Sequence, residues 1–184
     1  MNFRSRLWLS AYFAVVAIAN TLLAVIPTFW ARGAILRLCG WRLGRRVAIH
    51  RGVRVTSLRR GSQIGARSVI NHGVLLDNRR GLNIGKNVSI AHDCSLYTLG
   101  HDIDAPGFDT KGGCINIGDH AVLFAKVAVM PGVSLGRGSV CYPCAVVVRD
   151  VGPFEVVGGN PAQVLRKRST DLGYELDYRV WLGI

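Results

Sequence analysis

The chain has 184 residues, 49% of them hydrophobic, enough to bury one substantial core with a small appendage and leaving no need for a second catalytic domain. Its formal net charge of +12, with much of the arginine near the N-terminus, favours anionic surfaces or phosphorylated ligands. No zinc-finger, RNA-recognition or P-loop signature accompanies that charge, so nucleic acid has no recognising motif, and the five cysteines, with only one CxxC at Cys141 and Cys144, read as packed thiols in a reducing cytoplasm rather than as a zinc site.

Residues 1–42 form a hydrophobic lead-in. From Leu7 to Ala31 there are 25 residues without a charged side chain, long enough to cross a bilayer as a helix, with Asn20 and Pro27 interrupting the apolar run. The segment therefore reads as one helix or a helical hairpin that either associates with a membrane or packs on its own domain. Arg4 and Arg6 precede it and a larger basic group follows, which places the rest of the chain on the cytoplasmic side if it does span. Trp8, Tyr12 and Trp30 suit an interface, although packing uses such residues too.

Residues 43–150 keep a six-residue rhythm. Leu43, Ile49 and Val55 form one set of leading aliphatics; Ile64, Ile70 and Leu76 a second; Ile84, Ile90 and Leu96 a third; Ile117, Leu123 and Val129 a fourth; Leu135, Cys141 and Val147 a fifth. Small or branched residues recur four positions later, and a glycine often follows the leading residue, as in IG at 64, 84 and 117. A period of six suits short strands separated by tight turns. Three hexads per triangular coil stack their leading residues inside a parallel β-helix, an all-β fold in which each coil buries what it cannot bury alone.

The rhythm is broken by three extra residues between Val55 and Ile64, two between Leu76 and Ile84, and fifteen between Leu96 and Ile117. The longest break, a loop over 102–116 rich in Asp, Gly and Pro, follows His101 directly. A rigid coil thus holds His101 while the loop is free to cover a cleft or reach a neighbouring subunit. Over residues 151–184 the rhythm stops, and the sequence predicts a coil exit, a short helix from Ala162 to Arg168 and a second amphipathic piece from Leu172 to Trp181.

The hexads, the GH pair before a long loop and the run GGNPAQVLRKR together resemble the hexapeptide-repeat acyltransferases, particularly the maltose, galactoside and capsule or exopolysaccharide O-acetyltransferases, over about Leu43 to Arg168. The resemblance implies a left-handed coil, a homotrimer with active sites between subunits, acetyl-CoA as acyl donor, and no metal. It makes His101 the general base that takes the proton of an acceptor hydroxyl as that oxygen attacks the thioester, a task suited to an imidazole. Asn71 and Asp77 in INHGVLLD resemble acceptor-side residues, Asp77 either orienting a sugar hydroxyl or stabilising a turn. Asp102 either orients the base or bonds within its own loop.

The terminal run resembles the part of the family that contacts coenzyme A. Arg149, Arg166 and Lys167 are its charged candidates for phosphate, with Gly159, Asn160, Pro161 and Ala162 shaping the exit. In INIGDHAVLFAKVAVMPG, Val122, Phe124 and Lys126 depart from the family pattern, which leaves donor and acceptor less defined than the reaction class. The resemblance favours a sugar or lipid-linked saccharide as acceptor, met at the inner face of the membrane. Other readings are a noncatalytic trimeric scaffold, an antibiotic or serine acetyltransferase, and a zinc carbonic anhydrase-like enzyme drawing on His72, His92, His101 and His120.

Overall fold

Two-residue strands such as Ala48–Ile49 and Val69–Ile70 are too short to pair within one coil, so their backbone groups bond along the stack. In the computed structural model, which describes residues 3–178, these strands form three parallel walls of a triangular prism. Leu43, Ile64, Ile84, Ile117 and Leu135 stand in register on the first wall. Ile49, Ile70, Ile90, Leu123 and Cys141 align on the second, and Val55, Leu76, Leu96, Val129 and Val147 on the third. The five sequence triplets are thus five coils, and apart from Leu43 every leading residue is buried. The residues four positions on, from Val53 to Ala145, are buried as well and fill the corners. At about 1.5–3 kcal/mol for each fully buried aliphatic side chain, these columns supply the main drive for folding.

The glycine after the leading residue has a steric cause. A Cβ on Gly118 would lie 2.6 Å from the backbone nitrogen of Arg137 in the next coil, and one on Gly85 would meet Asp119 and Gly118 at 2.4–2.9 Å. Beyond these glycines the chain turns through left-handed residues at Arg46, Arg67, Asn87 and His120, with φ between 53° and 61°.

The first coil has no predecessor, and the lead-in supplies one. Helix α1 (Phe3–Val25) and helix α2 (Phe29–Leu38) cap the N-terminal end, divided near Pro27. Asn20 acts as a surrogate strand: its Nδ2 donates to the Val55 carbonyl and its Oδ1 accepts from the Val55 N–H, both at 2.9 Å. The buried Arg32 donates through Nε to the Ile49 carbonyl at 2.6 Å, and the Leu58 N–H donates to the Tyr12 hydroxyl at 2.9 Å. The polar interruption at Asn20 therefore completes the edge of a sheet.

The C-terminal end departs from the sequence expectation. Gln163–Lys167 is a strand, antiparallel to Glu155–Gly158 with Lys167 opposite Glu155, where a helix from Ala162 to Arg168 was predicted. A helix of that length gains little on its own, whereas a strand satisfies the edge left by Glu155–Gly158 and carries Arg166 and Lys167 along the new edge. Residues 169–178 form no helix either. They run back toward the N-terminal end past the corner residues, with Tyr174 donating to the His120 carbonyl, Leu176 N–H to Asn87, and Glu175 and Asp177 facing Arg67 and Arg46 at 3.0 and 3.5 Å. The last part of the predicted Leu172–Trp181 piece lies outside the described residues.

The coil contacts carry a test. Gly118→Ala is expected to destabilise the protein by about 1–3 kcal/mol in chemical denaturation, because the added methyl meets backbone that cannot swing aside. Gly173→Ala, where a Cβ has no neighbour within 4 Å, is expected to leave the midpoint unchanged.

Candidate active site

The break after Leu96 folds as an antiparallel hairpin, Leu99–His101 against Thr110–Gly112, projecting from the corner after the third wall, with His101 opposite Thr110. The imidazole is exposed and stacks on Phe108 at 4.3 Å between ring centroids and 6° between planes. Its Nδ1 lies 2.8 Å from the Phe108 carbonyl oxygen. A carbonyl only accepts, so Nδ1 carries the hydrogen, and in the neutral ring Nε2 keeps its lone pair. The hairpin thus fixes both tautomer and ring plane without using a carboxylate.

Asp102 takes no part in that arrangement. Its Oδ2 accepts from Lys111 Nζ at 2.9 Å and its Oδ1 from the Asp104 N–H at 3.2 Å, and these bonds, the lysine first, hold its carboxyl below the ordinary range. It braces the two strands of the hairpin, which settles the choice between base-orienting and loop roles for this conformation. Beside His101 lies an open cleft of about 420 Å³ walled by Gly100, Lys111, Gly112, Gly113, Pro131 and Gly132. The small residues let a narrow chain approach the imidazole along backbone. Gly113 and Gly132 already donate their N–H groups to the Thr98 and Gly113 carbonyls.

Asp77 sits one coil earlier at the same corner, and of the two roles expected for it, its bonds match the stabilising of a turn. Its side chain is 1% exposed and both oxygens are occupied. Oδ1 accepts from Thr56 Oγ1, Arg79 Nε and the Arg79 N–H; Oδ2 accepts from Arg79 Nη2 and from the N–H groups of Thr98 and Leu99, at 2.7–3.2 Å throughout. No oxygen is left for a sugar. What Asp77 holds is the root of the hairpin that carries His101. Burial pushes its carboxyl pKa up, but the bonds from Arg79, Thr56 and the backbone more than reverse this and hold it at about 2.

Asn71 lies at another corner, after the second wall, where both its side-chain Nδ2 and its backbone N–H donate to the Ile90 carbonyl at 2.9 Å. Within one chain it does not join His101. Arg166 lies on the second wall, opposite the His101 corner of the prism, and its Nη2 meets the Tyr142 hydroxyl at 3.2 Å. With Val122, Phe124, Val140, Val156 and Arg168 these two line a second cleft of about 300 Å³. Two of the departures from the family pattern, Val122 and Phe124, therefore face the Arg166 cleft. Lys167 is exposed on the same strand. Gly159 to Ala162 form the turn before it: the Val146 N–H donates to the Gly159 carbonyl and the Ala162 N–H to the Val146 carbonyl, while Asn160 and Pro161 stay exposed. Arg149 is exposed at the corner after the third wall, two coils beyond the hairpin and on its side of the prism.

Four contributors escaped the sequence. The Phe108 carbonyl and the Thr98 and Leu99 amides are backbone groups, which leave no residue-type signal. Arg79 was detectable only as a cation two positions after Asp77. Among the described residues no group of three or more His, Cys, Asp or Glu side chains is placed to hold a metal. Burial pushes the Cys94 and Cys141 thiols up to about 11 and about 12, which makes them packing residues.

The depressed Asp77 carboxyl has a consequence for acid stability. Its folded pKa lies below the ordinary 3.8, so its contribution is complete above pH ~4 and is lost as the pH falls toward about 2. The stability gap between wild type and Asp77→Asn, measured by urea denaturation, is expected to shrink by about 2 kcal/mol across that interval.

No family model matches the chain. Among curated proteins, a serine acetyltransferase of Mycobacterium tuberculosis is 28% identical over 142 residues, covering 76% of this chain and 61% of that protein. The chain spans about three fifths or less of the curated relatives it matches first. Among solved structures, a hexapeptide-repeat-containing acetyltransferase of Vibrio cholerae O1 biovar eltor, complexed with acetyl coenzyme A, superposes with a TM-score of 0.78 at 25% identity over 86% of this chain and 87% of that one. A maltose O-acetyltransferase of Clostridium difficile 630 shares the fold, with a TM-score of 0.67 at 24% identity over 88% of this chain and 89% of that one. Stacked hexads, a histidine hairpin at a corner and these likenesses converge on one kinship: in fold and in sequence the chain is similar to the hexapeptide-repeat acetyltransferases.

Proposed function

We propose that the protein transfers an acetyl group from acetyl-CoA to a hydroxyl of a sugar or lipid-linked saccharide, with His101 as the general base, on the cytoplasmic side of a membrane. The observation that carries this reading is the 2.8 Å bond from His101 Nδ1 to the Phe108 carbonyl, which leaves Nε2 available beside a glycine-walled cleft. Nε2 removes the proton of the acceptor hydroxyl as its oxygen attacks the thioester carbonyl carbon. When the tetrahedral intermediate collapses the C–S bond breaks, and the imidazolium returns its proton to the departing sulfur, giving an O-acetyl ester and free coenzyme A thiol. No covalent enzyme intermediate is needed. Support for acetyl-CoA comes from the Vibrio cholerae relative, complexed with that donor; support for a sugar comes from the shared fold of the maltose enzyme. The tuberculosis relative makes L-serine the competing acceptor.

The active unit in this reading is a homotrimer. The His101 corner and the Arg166 wall lie on opposite sides of one prism, so a single donor molecule touches both only if a neighbouring subunit contributes one of them. Arg166 and Lys167 then face the donor's phosphates from one chain, Arg149 from the other, with Asn71 supplied to the acceptor across the same interface.

Acetyl-CoA turnover over a panel of sugars, lipid-linked saccharides and L-serine, with product mass as the readout, tests the reaction. His101→Ala is expected to lower kcat by about 10²–10⁴-fold while coenzyme A binding stays within about twofold. Undiminished turnover in that variant removes His101 as the base, and turnover confined to L-serine replaces the acceptor class. Shared sites have their own signature. Co-assembly of His101→Ala chains with Arg166→Ala chains, each inactive alone, is expected to restore about a quarter of wild-type activity through random mixing, whereas sites built within one chain stay inactive.

A further inference from the structure

Helix α1 presents two unlike sides. Along one, Val16, Ala19 and Leu23 are buried, and Tyr12 and Asn20 bond to the first coil. The Leu23 and Ala24 carbonyls accept from the Gly52 N–H and from Arg51 Nε, which extends the attachment to the helix end. Along the other, Leu7, Trp8, Val15, Ile18, Leu22 and Val25 are exposed, Trp8 by 67%. Arg4–Val25 has the length and hydropathy to cross a bilayer, yet only 17% of its most apolar stretch is buried in the protein. A crossing would detach residues 12–24 from the coil whose open edge they close.

Charge is distributed just as unevenly. The first 76 residues contain twelve arginines and no aspartate, glutamate or lysine; the remaining 108 contain eleven basic and eleven acidic residues. The whole formal charge of +12 therefore belongs to the helical cap and the first two coils. At that end Arg37, Arg45 and Arg46 line a cleft of about 400 Å³ together with Phe29, Trp30 and Tyr178. Trp30, 73% exposed, stands at the start of α2. Exposed tryptophan and leucine beside a field of arginine match the chemistry of an interface between phosphate headgroups and acyl chains.

We propose that α1 lies on an anionic phospholipid bilayer and does not cross it: its Leu7, Trp8, Ile18 and Leu22 side enters the boundary between headgroups and acyl chains, and the arginines of the terminal coil rest on lipid phosphates. This rests on the membrane-side location proposed above and is independent of the acetyl-transfer chemistry. It orients the prism with its N-terminal end toward the lipid. The bonds of Tyr12 and Asn20 make the helix part of the rigid domain, so docking the helix docks the whole solenoid.

Full-length protein is sedimented with phosphatidylcholine vesicles containing or lacking phosphatidylglycerol, and acetyl-CoA turnover is read on the same preparation. Binding is expected to be at least about tenfold tighter with phosphatidylglycerol, to weaken with added salt and to be released by alkaline carbonate. Trp8→Glu with Ile18→Glu is expected to reduce binding about tenfold or more with unchanged circular dichroism and turnover. Arg45→Glu with Arg46→Glu is expected to remove the phosphatidylglycerol preference while leaving residual apolar binding. Resistance to carbonate extraction overturns the proposal in favour of a span. Indifference to lipid charge, or wild-type binding by the Trp8/Ile18 variant, also overturns it. If that variant instead changes the oligomeric mass in light scattering, the apolar side covers a second copy of the chain. Loss of vesicle binding with turnover intact sinks the docking alone; absence of turnover in protein that still binds vesicles sinks the chemistry alone.

Discussion

A coil built from three two-residue strands cannot satisfy its own backbone, and most of the architecture follows from that constraint. Each N–H and C=O directed along the prism must meet the next coil, so the leading aliphatics are forced into register and the glycines beside them are held to a coil spacing that excludes a Cβ. The constraint fails at the two ends. At the first coil, Asn20 offers an amide in place of a missing peptide and Arg32 covers the Ile49 carbonyl. At the last, Gln163–Lys167 folds back as a strand. The lead-in helices and the terminal hairpin are two solutions to one problem.

The same constraint makes the His101 hairpin possible and explains its anchor. A chain that leaves the stack at Tyr97 and returns near Cys114 exposes backbone groups at its root, and the buried Asp77 carboxylate receives two of them from Thr98 and Leu99. Arg79 neutralises that carboxylate from the same corner. One local bond, from Nδ1 to the Phe108 carbonyl, then fixes the imidazole at the edge of the cleft and leaves Nε2 its lone pair. Rigidity passes from the core through Asp77 to the hairpin root, and from the hairpin to the ring.

The division of charge along the chain acquires meaning through the stack. In a solenoid, sequence position maps onto height, so twelve arginines within the first 76 residues become one basic end, and balanced charge later in the chain becomes a neutral body. The apolar side of α1 sits at that same end. His101 and Arg166 stand on the sides of the prism, near its middle and C-terminal coils, away from that basic end.

The sequence by itself determined the coils. A six-residue period in aliphatic and small residues is a local property, repeated until no other packing buries it, so fifteen leading positions and the break after His101 were legible without coordinates. It also marked His101, because the longest departure from a strict repeat must be tolerated for a reason. Only the tertiary structure decided how these pieces bear on one another. Asp77 read equally as a ligand for a sugar hydroxyl or as the brace of a turn, and it is enclosed, since six hydrogen bonds converge on it from three separate segments. Ala162–Arg168 has the composition of a short helix and becomes a strand, since the open edge beside it offers bonds that an isolated turn of helix does not. Asn20 read as a flaw in an apolar run and proved to close a sheet. Apart from Arg79, two positions from Asp77, the deciding partners lie twenty or more residues away or are backbone groups, and neither kind leaves a trace in local composition.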